Sequence, residues 1–185
     1  NAKKDDGTCE WDTISGYNLT FNFTHDYDGA SVTSSEFNSL SFTNQGGTVH
    51  SISKLIYLVS DFRLYTSNGD SVMLDGYHLI NVLDANTLTY SINQHIPIDS
   101  YTGIGFNFGF DPVDNISGVY ADLNVANWGW PAMLGGGYHN LQLEGKFINT
   151  ATDTVNFAYH MGKAREITVT DTTYHANHFL KELPL

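Results

Sequence analysis

Apolar and polar positions alternate without a break over residues 17–25. Tyr17, Leu19, Phe21 and Phe23 share one side with His25, and Asn18, Thr20, Asn22 and Thr24 take the other. A period of two belongs to a strand with one buried face and one wet face. The pattern dissolves over 26–47 into a Ser-, Asn- and Gly-rich excursion in which Phe37, Leu40 and Phe42 remain to pack down. From Val49 to Tyr65 the run is apolar on both sides through Ile56, Tyr57, Leu58 and Val59, which predicts a central strand covered on both faces. Ser67-Asn68-Gly69-Asp70 predicts a hairpin, with Asn-Gly suited to a type I′ turn. Strands follow over 72–83, interrupted near Asp75-Gly76, and over 88–96 and 101–110. In the last of these, Ile104, Phe106, Phe108 and Phe110 alternate with Gly103, Gly105, Asn107 and Gly109, so the glycine face admits close approach by another segment. A long loop over 111–136, with Pro112 and Pro131, precedes strands over 138–147, 154–160 and 166–171, and the remainder reads as polar.

Eight or nine short alternating strands with turn signals between them predict an all-β domain, an antiparallel β-sandwich of Greek-key type. Abundant Thr, Tyr, Phe, Val and Ile agree, and runs rich in Ala, Leu, Glu and Lys are scarce. Residues 1–16 read as a flexible polar tail and 17–185 as a single domain. A loop as long as 111–136 inside a compact domain is more often functional than idle.

Charge narrows the partners. A formal net charge of −12 argues against nucleic acid and against an anionic membrane surface, since both need a basic face. No 18-residue apolar run exists to span a membrane. Cys9 is the sole cysteine, so no intramolecular disulfide forms. The opening NAKKDDGT is similar to the charged linker that follows a lipid-modified cysteine in bacterial lipoproteins, which predicts a lipid anchor.

No nucleophile motif or phosphate-cradling loop is present, so an enzyme is not expected. FDPVDNISG offers Asp111, Asp114 and Asn115 as oxygen ligands for calcium, against the plainer reading of an Asx-rich turn. Of eight histidines, His50 and His95 read as solvated, and His175 and His178 could share a metal only in a helix. His25 closes a strand on its apolar side, His139 keeps the parity of Leu141 and Leu143, and His160 ends the strand before Gly162. Each alone reads as a hydrogen-bonded structural histidine. Near Trp128 and Trp130 they form a metal-ligand set, and imidazole without thiolate suits copper, zinc or nickel, with copper bound most tightly. Trp128, Trp130 and Tyr138 also read as a stacking platform for carbohydrate, or as a hydrophobic plug in a sandwich without a small ligand.

Four stretches occur in order: SISKLIYLVSDFRL, DGYHLIN, IPIDSYTGIGFNFGFDPVDNISG, and the Trp-x-Trp segment with GYHNLQLEG and FAYHMG. Together, over residues 17–171, they resemble the MbnP-like copper-binding family of bacterial extracytoplasmic proteins, related to copper-binding surface proteins of methanotrophs. The resemblance implies an antiparallel β-sandwich that binds one copper through histidines and a tryptophan oxidised to kynurenine. It implies a periplasmic or cell-surface location, a di-haem peroxidase as partner and an outer-membrane transporter in the pathway. Carried onto this chain, it makes Trp128 and Trp130 the modifiable positions and His160 and His25 the ligands, with His78 and His139 in reserve. The chain departs from the family where PAMLGGG separates the second tryptophan from the following Gly-Tyr pair, an insertion expected to displace the tryptophans from the metal.

Overall fold

The computed structural model describes residues 17–97 and 99–185. The tail expected over 1–16, with Cys9, lies outside the described residues. The strands are β1 (Tyr17–Asn22), β2 (Asp26–Tyr27), β3 (Ala30–Ser31), β4 (Phe42–Thr43), β5 (Val49–Thr66), β6 (Ser71–Asn81), β7 (Thr89–Ile96), β8 (Tyr101–Phe108), β9 (Leu141–Ile148), β10 (Thr154–Met161), β11 (Ala164–Ile167), β12 (Thr172–His175) and β13 (Phe179–Pro184), and every pairing is antiparallel. β5 is the spine of a seven-stranded sheet. Residues 50–57 of β5 pair with β9 and residues 59–66 with β8, while β6 follows the opposite side over 56–65. β9 and β8 therefore meet β5 from the same side and part at Leu58. The Leu58 N–H donates to the Asn140 carbonyl (3.0 Å), and its own carbonyl accepts from the Gly109 N–H (2.8 Å). The chain between Gly109 and Asn140 leaves the sheet at this fork. β10 lies outside β9, and β13 outside β8.

The two-stranded β1–β7 sheet covers one face of the large sheet, making the sandwich. Ile92 and Ile96, with half-buried Leu19 and Phe21, pack on Val59, Phe62, Leu64, Leu74, Ile80 and Ile104. Each side chain so buried contributes about 1.5–3 kcal/mol relative to exposure. The Ser/Asn/Gly-rich excursion closes a second cluster of Val32, Phe37, Phe42, Ile52 and Val82. Under the fork a third cluster gathers Leu58, Phe110, Leu123, Trp128 and Tyr138.

Several expectations change in detail. The β5–β6 hairpin forms, but only Gly69 of the Asn-Gly pair has positive φ (87°), and Thr66 N–H meets the Asp70 carbonyl across three residues. That is a type I turn closed by a left-handed glycine rather than a type I′ turn. The glycine face of β8 is covered by the Tyr65 ring, where a Cβ on Gly105 would stand 2.9 Å from the Tyr65 hydroxyl. Residues 172–184, read as polar, form β12 and β13. β13 is an edge strand protected by Lys181, Glu182 and Pro184, the composition that hides an edge strand from a search for alternation.

Candidate metal centre

The loop from the fork carries the short helix α1 (Ala121–Val125), and the Trp128 N–H caps its end by donating to the Leu123 carbonyl (2.9 Å). The Trp128 carbonyl then accepts the His139 N–H (2.9 Å), and the Trp130 N–H donates to the Gly137 carbonyl (2.9 Å). Residues 128–130 and 137–139 thus lie as two antiparallel rungs, closed by a 3₁₀ turn over Ala132–Leu134 and three glycines with φ of 102°, 61° and 92°. Gly137 is required twice over, since a Cβ there would also strike Asn115 Oδ1 at 2.2 Å. The PAMLGGG insertion therefore does not carry the tryptophans away. It turns the chain back and delivers His139 to them.

The His139 ring sits 5.3 Å from Trp128, 4.9 Å edge-on from Trp130, and 5.3 Å from His160. Trp130 rests on Gly162, where a Cβ would overlap the indole at 2.3 Å, and this fixes the ring beside the end of β10. His139 Nδ1 lies 3.0 Å from the Trp128 carbonyl oxygen, which only accepts. Nδ1 therefore carries the proton and Nε2 presents the lone pair. Burial holds the His139 pKa below its ordinary value, and the nearby His160 and Lys54 add to this against the carbonyl bond. The ring is neutral at neutral pH, as a ligand must be. His160 is about one-third exposed, and its Nε2 is 2.9 Å from Glu144 Oε1, the oxygen that also accepts Lys54 Nζ at 2.7 Å. Each imidazole can place a nitrogen about 2 Å from a metal, so the ring spacing is one that a single ion can bridge. The Trp130 Nε1–H is spent on the Leu134 carbonyl (3.0 Å), whereas Trp128 Nε1 is buried without a partner.

The structure sorts the residues expected to act. His25, expected to pair with His160, instead gives Nε2 to the Tyr57 hydroxyl (2.9 Å) and lines a separate cavity of about 450 Å³ with Tyr27, His50, Leu55 and Phe157. Burial lowers its pKa and raises that of Tyr57 to about 12. His78 is stacked on Tyr90 and bonds the Thr87 carbonyl at 2.7 Å. His175 lies in β12, not in a helix, and its Nε2 meets Glu166 at 2.9 Å. Trp128 and Tyr138 are each 1% exposed, so neither offers a face to a sugar, and only Trp130 of that platform reaches solvent. Lys54 and Glu144 escaped the sequence reading, because only the register of three strands brings them to His160.

The calcium reading is also altered. Asn115 is buried, and its Oδ1 accepts the Tyr138 N–H at 2.7 Å, so it turns away from any cation. Asp61 takes its place: its carboxylate gathers with those of Asp111 and Asp114 within 4.8 Å. Asp61 sits at a bulge in β5 with φ of 51°, an irregularity no alternation pattern reveals. Burial, then Asp111 and Asp61, raise the Asp114 pKa.

A family model described as MbnP matches residues 16–183. No curated protein sequence matches the chain. Among solved structures, MbnP from Methylosinus trichosporium is similar, with a TM-score of 0.63 at 14% identity, over 91% of this chain and 72% of that one. At that identity the likeness concerns the fold.

Proposed function

We propose that this chain, which belongs to the MbnP family, holds one copper ion between His139 and His160 beside Trp130 and Trp128, for copper acquisition or handling outside the cytoplasm. The observation that carries the reading is the juxtaposition of two imidazoles 5.3 Å apart, flanked by the indoles of Trp128 and Trp130. His139 replaces His25 in the ligand pair inferred from sequence. A set of two neutral nitrogens without thiolate favours copper over hard cations, and with no added protein charge it suits the monovalent ion. The protein acts as a binder, not an enzyme. A periplasmic or surface location with a lipid anchor fits a family of copper handlers.

Trp130 is the better placed of the two indoles for oxidation to kynurenine. Its ring stands perpendicular to His139 at 4.9 Å and the residue is partly exposed, whereas Trp128 is enclosed in the core. Two equivalents of peroxide cleave the indole C2–C3 bond and leave an oxygen on each carbon, with two waters released, and a further water hydrolyses the resulting N-formyl group to formate, leaving an arylamine that can serve as a ligand. Peroxide and a haem peroxidase partner supply the oxidising equivalents.

The test is intact mass and copper content of protein produced with its native partners. One copper per chain, lost in His139→Ala and His160→Ala and kept in His25→Ala, is the expected result. A mass gain of about 4 Da adds the kynurenine. Copper retained at full stoichiometry in both His139→Ala and His160→Ala sinks the assignment.

A further inference from the structure

The sheet register aligns three polar side chains across β5, β9 and β10. Lys54 stands directly opposite Glu144, Glu144 stands opposite Ala158, and His160 follows two residues on, on the same face. Cross-strand and diagonal neighbours of this kind are within reach of long side chains. Here the reach is used: Lys54 Nζ and His160 Nε2 both meet Glu144 Oε1, at 2.7 and 2.9 Å. The Lys54 ammonium, 2.7 Å from that oxygen, is a charge-assisted partner that favours the ionised carboxylate. An ionised carboxylate only accepts, so the nitrogen facing it must carry the proton.

We propose that Lys54 and Glu144 are positioning residues that lock His160 as the Nε2–H tautomer, leaving Nδ1 as its lone-pair nitrogen. The two histidines are then set in opposite tautomers by different means: His139 through a backbone carbonyl, His160 through a lysine-braced carboxylate. The inference deepens the copper reading, yet its structural half can be read without metal. A carboxylate behind a ligand histidine orients the ring and raises its basicity, and losing such a partner typically weakens metal binding by about 10–100-fold.

The test is long-range ¹H–¹⁵N NMR of the metal-free protein at about pH 8.5, where an ordinary imidazole is neutral. Wild type should show one His160 tautomer with the proton on Nε2 and a slowly exchanging Nε2–H signal. Glu144→Ala should mix the tautomers and lose that signal, with the His139 pattern unchanged. Glu144→Gln, which keeps an acceptor oxygen in place, should restore most of it. In competition with a monovalent-copper chelator, the Ala variant should bind about 10–100-fold more weakly and the Gln variant fall between. A His160 proton on Nδ1 in wild type overturns the proposal, as does an Ala variant with unchanged tautomer and affinity. Wild type that takes no copper while keeping the Glu144-dependent Nε2–H defeats the copper reading and upholds the positioning.

Discussion

Two regions of this molecule pair a histidine with aromatic walls, and they come to opposite ends. Around His25 the aromatic walls are Tyr27 and Phe157, with Leu55 beside them, and its Nε2 is hydrogen-bonded to the Tyr57 hydroxyl. Around His139 the walls are Trp128 and Trp130, the ring's Nδ1 is bonded to a backbone carbonyl, and the His160 ring lies 5.3 Å away. Both rings are partly desolvated and both have lowered pKa values. What separates them is how closely a second imidazole is held: His160 stands 5.3 Å from His139 ring to ring, whereas His50 lines the His25 cavity but packs on Tyr27 and Phe42. A histidine becomes a candidate ligand by what its neighbours leave unbonded, not by ending a strand.

The hardest test of that contrast is copper itself. His139→Ala or His160→Ala should lower copper affinity by more than the roughly 100-fold upper range for a supporting residue, and His25→Ala should leave it unchanged, as read by chelator competition. Equal losses at all three positions would erase the distinction between the regions.

Next in size is stability. Trp128→Ala removes a fully buried indole and should cost about 3–5 kcal/mol in urea unfolding, and Trp130→Ala, partly exposed and seated on Gly162, should cost well under that. The reverse order would mean that Trp130, not Trp128, is the core residue of the pair.

A smaller effect tracks pH. Burial holds both His25 and His139 below the ordinary 6.5, so the unfolded chain protonates first. Their contribution to stability is complete above about pH 6.5 and is lost as pH falls through the depressed folded values. Melting temperature should be level at neutral pH and decline on acidification, and His25→Gln should flatten that decline without touching copper binding. Unchanged slopes in His25→Gln and in His139→Gln would remove burial as the cause. Tyr57→Phe frees His25 Nε2 and should cost about 0.5–1.5 kcal/mol, again with copper unaffected.

The smallest expected effect concerns the Asp61–Asp111–Asp114 cluster. Asp114 is raised above its ordinary 3.8, so its contribution is present below that value and lost as pH rises through the folded value. Asp114→Asn should therefore gain about 0.5 kcal/mol or less at neutral pH, because solvent screens a cluster that is only partly buried. Millimolar calcium should raise the wild-type melting temperature and leave the Asn variant nearly unmoved. An equal shift in both would assign the effect to ions in general.

Local pattern carried the sequence reading far. Alternation over 17–22 and 101–108, the apolar run through Leu58 and Val59, and Gly69 after Asn68 each specify a strand or turn within a few residues, since side-chain direction in a strand depends only on parity. The same arithmetic made an all-β sandwich legible, and the ordered motifs made the MbnP family legible. Trp128, Trp130 and His160 were named from sequence, with His25 as the second ligand and His139 only in reserve. What sequence left open was which histidines meet. His25 and His160 both end apparent strands, yet His160 is brought to His139 by the fork at Leu58 and the return through Gly135 to Gly137. Neither event has a local signature: the fork depends on where β8 and β9 part along β5, and the return on a turn whose glycines have the conformations that clearance from Asn115 and Tyr174 demands. Lys54, Glu144 and Asp61 were invisible for the same reason. Their roles come from register between strands up to 90 residues apart and from a bulge, and pairing across such distances is settled by the packing of the whole sheet rather than by the chain on either side.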